Sequence, residues 1–135
     1  MALNPKTSIA SRNLALDAAF DILNSGKLIV YDGTQPTDAN TALGAQVDLA
    51  DLTLGATAFA AASAASKAAN SITQDSSINA SGTASWATLV ASARTTTGTL
   101  DMSVGTSGAN LNFNSVAFSS AAVCSCSSLT ITQAA

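Results

Sequence analysis

The residue pattern changes at Lys27, and this change limits the fold more than any other feature of the sequence. Before it, residues 8–23 place apolar side chains at the i, i+3, i+4, i+7 spacing of an amphipathic helix, with Thr7 or Ser8 as its N-cap. The apolar positions of this helix are Ile9, Leu16, Ala19, Phe20 and Leu23. Residues 24–26 (Asn-Ser-Gly) tolerate a left-handed turn, so the helix is expected to end near Asn24.

After Lys27 the sequence consists of short β-like runs separated by turn residues. The predicted strands are residues 28–31, 47–54, 71–74, 83–91, 99–104, 110–113, 116–126 and 129–133. The predicted turns are residues 32–36, 79–82, 97–98 and 105–108, which contain Gly, Asn, Asp or Pro. This number of strands is typical of a sandwich or jelly roll, whereas a parallel βαβ fold needs more helices.

These patterns predict one domain over residues 1–135, because independent domains usually need about 100–150 residues. The expected fold is mainly β: a jelly-roll-like antiparallel β-sandwich (27–135) preceded by an N-terminal arm and one α-helix (1–26). The Ala/Ser-rich block at residues 56–70 is predicted as an irregular excursion, with a short helix as the alternative.

The chain contains no His and no Glu, so its eight acidic residues are all Asp. This composition removes His-based acid–base catalysis, the Ser-His-Asp triad and His-containing metal sites. Scattered Asp residues with few aromatic side chains give no sign of a glycosidase cleft. We therefore expect no enzymatic activity, no catalytic or metal-binding residues and no cofactor.

The formal net charge of −3 has the wrong sign for holding a phosphate backbone, so nucleic-acid binding is not expected. The N-terminus lacks the apolar run of a secretory signal, and the charge-free stretches are too rich in Ser, Thr, Asn and Gly to span a bilayer. These features predict synthesis inside the cell and no membrane segment. Cys124 and Cys126 are expected to be free and buried, because no His or further Cys completes a metal site.

Charge is distributed unevenly, and no charged side chain follows Asp101. Because the centre of a protein–protein interface is depleted in charged residues, the C-terminal region is a candidate contact surface. The alternative is that Ser, Thr and Asn alone keep this region hydrated. The candidate contact residues, chosen as large apolar groups, are Phe20, Leu23, Trp86, Phe113 and Phe118, although the same residues are also the obvious core.

Several segments together resemble small proteins encoded among the structural genes of tailed bacteriophages. These segments are LIVYDGTQPTDANTA (28–42), VDLADLTL (47–54), ITQD (72–75), GTASW (82–86) and GTSGANLN (105–112). Within that group the chain is most similar to capsid cement, or decoration, proteins of the jelly-roll type. The likeness covers residues 10–133, and the Ala/Ser block at 56–70 is where this chain departs from the family.

The resemblance implies a non-enzymatic virion protein, made in the host cytoplasm, that binds the outside of an assembled capsid. Its implied partners are the major capsid protein and a second copy of itself, with no nucleic acid and no membrane. Two alternatives stay open at this point: a tail or head–tail connector subunit, and a glycan-binding module on the virion surface.

Overall fold

The computed structural model describes residues 4–94 and 99–134, so the predicted turn at 97–98 lies outside the described residues. The predicted helix forms as α1 (Ile9–Phe20) and continues as a 3₁₀ turn (Asp21–Leu23). The Ser8 hydroxyl caps its start by accepting a hydrogen bond from the Ser11 amide at 3.1 Å. The helical segment thus ends next to Asn24, as predicted.

Three of the five predicted apolar positions of the helix face the core. Leu16, Phe20 and Leu23 are buried. The prediction is wrong for Ile9, which is 54% exposed, because residues 4–11 are all exposed and the first turn projects past the core. It is also wrong for Ala19, which lies on the solvent side of the helix.

Ten strands follow within the described residues. They are β1 (Lys27–Tyr31), β2 (Asp48–Leu54), β3 (Ser66–Ala68), β4 (Ile72–Thr73), β5 (Gly82–Thr83), β6 (Trp86–Val90), β7 (Leu100–Gly105), β8 (Leu111–Asn112), β9 (Ala117–Phe118) and β10 (Thr130–Thr132). Six of them form one sheet in the order β4-β2-β1-β6-β7-β8, which is antiparallel except for the parallel β7–β8 pair. The other four form two short ladders, β10–β3 and β5–β9.

The central strands β1 and β6 are covered on both faces of the sheet. Side chains alternate between faces along a strand, so Leu28 and Val30 enter the main core while Ile29 and Tyr31 enter a second cluster on the opposite face. The main core lies between the sheet and a layer made of α1, the β10–β3 ladder and the intervening loops. In the described part of the chain no helix or strand covers the second cluster, and Leu43 from the loop between β1 and β2 packs against it.

The mainly β class with one N-terminal helix is confirmed for the described residues, and the arrangement is consistent with a sandwich-like fold. The jelly-roll strand order stays a prediction. The predicted strand at 116–126 is wrong beyond β9, because the chain turns at Ala121, which has a φ of +64°. Residues 56–65 are irregular as predicted, but the block then forms β3, which sequence analysis did not predict.

The polar side of α1 holds this Ala/Ser block in place. The amides of Ala58, Ala62 and Ala65 each donate a hydrogen bond of 2.9 Å to a side-chain oxygen of Asn24, Asp17 and Asn13, respectively. These acceptors recur at near-helical spacing along one side of the helical segment. The helical segment thus satisfies three backbone amides of the block, while isolated bridges between Phe59 and Ala69 and between Ser63 and Ser66 pair other parts of its backbone.

Lys67 of β3 also attaches the Ala/Ser block to the helical segment, from the buried side of the block. It is 1% exposed, and its ammonium group pairs with Asp17 and with Asp21, the latter at 2.8 Å. A lysine this deeply buried needs such partners, because burial of an unpaired charge is very costly. The hydrogen bond to Lys67 also holds the pKa of Asp17 below its ordinary value. Burial lowers the pKa of Lys67, but the two carboxylates together outweigh it, so the pKa of Lys67 is raised.

The connection from the helical segment to β1 requires close approach of two backbones. Ser25 takes the left-handed conformation (φ +58°), and Gly26 passes beside β6. A Cβ on Gly26 would lie 2.5 Å from the Val90 carbonyl oxygen and 2.8 Å from that of Leu23. The predicted left-handed turn is therefore correct, but Ser25 adopts it and Gly26 provides the space.

We predict that Lys67→Ala lowers the free energy of unfolding by about 2 kcal/mol, because it removes buried stem packing and leaves Asp17 beside Asp21 without a cation. Urea unfolding followed by Trp86 fluorescence measures the change. Lys6→Ala, at an exposed lysine, is the matched control and should change stability by less than about 0.5 kcal/mol. Equal effects of the two substitutions would contradict the attachment role.

Candidate contact surface and its polar clusters

The uncharged C-terminal region forms a continuous part of the chain's exterior. We call residues 105–134 the neutral surface; most of its residues between 105 and 128 are exposed, and Val123 is 57% exposed. Charged residues that border it include Asp75, whose backbone pairs with that of Cys124, and Arg12, whose guanidinium donates to the Gln133 carbonyl at 3.3 Å. Within the described residues this surface carries only hydroxyl, amide and apolar side chains.

The structure separates the five predicted contact residues into two groups. Phe20, Leu23 and Trp86 are at most 8% exposed and belong to the interior of the protomer, which is the second role that the sequence left open for them. Phe113 and Phe118 lie on the neutral surface and are half-buried. Only this second pair is placed to meet a partner without rearrangement of the fold.

Phe113 and Phe118 support each other. Their ring centroids are 5.7 Å apart with an interplanar angle of 82°, an edge-to-face contact. Both rings line a small cavity of about 280 Å³, and Phe113 also lines a larger groove of about 470 Å³. The pair therefore forms a half-buried apolar patch that packs against the main core.

The two cysteines lie beneath this surface and are free. The prediction of burial is correct for Cys124 but not for Cys126, which is only half-buried. Burial, with a contribution from the Asp75 carboxylate, raises the pKa of Cys124 to about 11. A thiol with so high a pKa is protonated at neutral pH and therefore unreactive.

On the opposite face of the sheet, Arg94 is a buried cation. Its guanidinium donates to Asp101 Oδ1 at 2.9 Å, to the Ala39 carbonyl at 3.1 Å and to the Thr41 carbonyl at 3.0 Å. It also lies 5.5 Å from the centroid of the Trp86 ring. Trp86 in turn stacks on Tyr31, with centroids 4.6 Å apart, so the ion pair closes a layered aromatic cluster.

A second polar cluster lies on the same face of the sheet, where β1 pairs with β2. Lys27 Nζ contacts Asp51 Oδ2 at 2.7 Å, and Asp75 accepts a hydrogen bond from the Asp51 amide at 3.0 Å. Burial and then the Asp51 charge raise the pKa of Asp48 to about 6, against a hydrogen bond from the Asn79 amide that lowers it. Burial likewise raises the pKa of Tyr31 to about 12.

Sequence analysis missed three surface features. Leu14 and Ile22 are 72% and 60% exposed on the outer side of the helical segment. Their positions off the predicted apolar stripe could have identified them, because a helix that is apolar on two sides cannot bury both in a small domain. The groove beside Phe113 gives no such signal in the sequence, since it forms between two segments, 110–114 and 125–130, that meet only in the folded chain.

Among the described residues, no group of three or more Cys or Asp side chains is arranged to hold a metal ion. In the same residues, no helix has both the length and the apolar character needed to cross a bilayer.

We predict that Arg94→Ala lowers the free energy of unfolding by about 3 kcal/mol, because it leaves the Asp101 carboxylate buried without a cation. Arg12→Ala, at a partly exposed arginine with one long hydrogen bond, should cost less than about 1 kcal/mol. Adding Asp101→Asn to Arg94→Ala should restore part of the loss. Chemical unfolding of the four proteins tests this, and the ion-pair argument fails if the double variant is no more stable than Arg94→Ala.

We predict that Asp48→Asn raises stability at pH 7 by about 1 kcal/mol, less than the full pKa shift implies because the side chain is partly exposed. A raised pKa means that the fold favours the protonated form. The contribution of Asp48 is therefore greatest below about pH 4 and declines as pH rises through 6. Melting temperatures from pH 3.5 to 8 should show the gain at pH 7 and its disappearance at pH 3.5, whereas Asp38→Asn, an exposed control, should show no such pattern.

Comparisons with protein-family models, curated proteins and solved structures give no match to this chain. The function must therefore be argued from the surface and its chemistry.

Proposed function

We propose that this protein is a non-enzymatic structural component of a tailed-phage virion that binds the outside of the assembled capsid and stabilises it by bridging neighbouring capsomeres. The observation that carries the proposal is the neutral surface, an extended exterior region without charge in a chain whose other exposed parts carry Lys, Arg and Asp. The resemblance of residues 10–133 to phage cement proteins supports the same role.

The absence of charge suits a surface that is buried permanently against a partner. Transferring Ser, Thr, Asn and Ala side chains out of water costs much less than transferring Lys or Asp, because hydrogen bonds to the partner compensate a neutral group more easily than a charge. Val123 and the Phe113–Phe118 pair supply apolar contact area within this surface. Interface centres in known complexes have the same character, with charged residues depleted and aromatic residues enriched.

Binding to the assembled shell explains how so small a protein stabilises a large particle. A ligand that binds only the assembled state shifts the equilibrium toward it by mass action. Each copy that contacts two capsomeres adds a link, and repetition over the lattice makes the links additive in effect. A two-fold homodimer presents the same surface twice and fits a symmetric site on the shell.

The experiment is to follow this chain by mass spectrometry in density-gradient fractions of particles from its native source. The expected result is co-migration with DNA-filled heads, at a copy number comparable to that of the major capsid protein. Particles that lack the chain should assemble but release DNA at a lower temperature than particles to which purified protein is added back. Recovery of the chain only with tails, at a few copies per particle, favours the connector alternative and overturns the proposal.

We predict that Val123→Asp weakens capsid binding at least about tenfold, because it places a charge within the neutral surface. Val47→Asp is the matched control, since Val47 is also exposed (43%) but lies in the loop before β2, outside the neutral surface. Both variants should keep the melting temperature of the wild-type chain. Co-sedimentation with capsids measures binding, and equal affinity of the two variants would show that another surface makes the contact.

A further inference from the structure

The groove beside Phe113 has the size and form of a small-ligand site. It lies between residues 110–114 and 125–130 and has a volume of about 470 Å³, within the range of about 300–1,000 Å³ usual for ligand pockets. Leu111 and Leu129 are buried, whereas the polar residues that line the groove are mostly exposed. The groove is therefore accessible from solvent in the protomer.

The lining is polar but uncharged. Asn114, Ser125, Ser127 and Thr130 line the groove and make no side-chain hydrogen bond to other described residues, so their amide and hydroxyl groups are available to a ligand. Asn112 is not available, because its side chain accepts from the Ala109 amide at 3.1 Å and donates to the Ala109 carbonyl at 3.0 Å. These local bonds fix the loop that leads into the groove.

Phe113 supplies the apolar part of the site. Its ring lines the groove and is braced on the neighbouring cavity side by the edge-to-face contact with Phe118. A rigid aromatic surface next to hydroxyl and amide groups matches a sugar ring, which has an apolar C–H face and a rim of hydroxyls that both donate and accept hydrogen bonds.

We propose that this groove binds a neutral carbohydrate, with one sugar ring packed on Phe113 and its hydroxyls hydrogen-bonded to Asn114, Ser125 and Ser127. The lining holds no Lys or Arg for a phosphate or carboxylate ligand and no carboxylate for a cation. The groove lies within the neutral surface, so a bound sugar and a capsid contact made through Phe113 would use the same residues; the site therefore goes beyond capsid binding as a ligand site of the free chain.

An added peptide strand is a poorer match to the same groove. Strand addition takes its affinity from main-chain hydrogen bonds along a sheet edge. The two edges nearest the groove, β8 and β10, are only two and three residues long. Side chains rather than backbone edges therefore dominate the lining, which favours a sugar.

The test is an NMR titration of the ¹⁵N-labelled full chain with the methyl glycosides of glucose, galactose, mannose and N-acetylglucosamine. Free N-acetylneuraminic acid serves as the charged probe, and a neutral Ser/Thr hexapeptide serves as the strand probe. The expected result is a saturable shift of the amide signals of residues 110–114 and 125–130 with at least one neutral sugar, at a Kd of about 1–10 mM. The charged sugar should bind at least about tenfold more weakly.

Variants localise the binding. Asn114→Ala should weaken it about tenfold, and Asn40→Ala, at an exposed amide in the loop before β2, should leave it unchanged. Phe113→Ala should abolish binding while Phe113→Tyr keeps it; if Phe113→Ala does not fold, the Asn114 pair alone decides. The proposal is overturned if no neutral sugar shifts the groove signals, if the shifts lie elsewhere, or if only the hexapeptide produces them. These results do not depend on capsid binding, so each proposal can fail without the other.

Discussion

The burial of β1 and β6 on both faces of the sheet depends on the Arg94 guanidinium. Among the residues that the structure describes, no helix or strand lies above the second face, and the loop between β1 and β2 covers it. A loop in this position brings backbone carbonyls next to an apolar surface. Arg94 satisfies two of those carbonyls, at Ala39 and Thr41, while Asp101 balances its charge and Trp86 packs against it. One buried cation thus allows an irregular loop to cover this face of the sheet in place of a layer of helices or strands. The other face of the sheet packs against the layer that contains the helix.

The helix is attached through two sides: Leu16, Phe20 and Leu23 pack into the main core, and the polar side binds the Ala/Ser block. Asn13, Asp17 and Asn24 bind backbone amides of the Ala/Ser block, and Lys67 brings Asp17 and Asp21 together from within. These bonds add to the apolar contact of Phe59, the one large apolar side chain of the block, whose ring centroid lies 6.0 Å from that of Phe20. The outer side of the helical segment carries exposed apolar residues, with little charge to oppose their contact with other molecules.

The elements that the sequence predicted correctly are those with the local apolar pattern of an ordinary helix or strand. Leu16, Phe20 and Leu23 follow helical spacing, and the apolar runs of β1 and β2 are unambiguous, so these elements and the mainly β class were predictable. β3 was not, because Ala-Ser-Lys-Ala carries no strand signal and its partner β10 lies more than 60 residues away in the sequence.

The candidate surface was predictable in part for a related reason. The absence of charge after Asp101 is visible in the sequence and identified the neutral surface. Which large apolar residues would lie on it was not visible, because Trp86 and Phe113 both lie in predicted strands and only the fold decides that the first is buried and the second half-buried. The groove depends on residues 110–114 and 125–130 meeting in space, which no local pattern encodes.

A surface without charge also determines how a partner is bound. Electrostatic steering speeds association of oppositely charged proteins, and a neutral surface receives little of it. Association is then limited by orientation, and tight binding must come from slow dissociation or from several contacts made together. The capsid lattice that we propose as the partner would supply the second condition, because a copy released from one subunit would stay close to the next. The same neutrality makes binding insensitive to ionic strength, so a surface of this kind suits a particle that meets both dilute and concentrated salt.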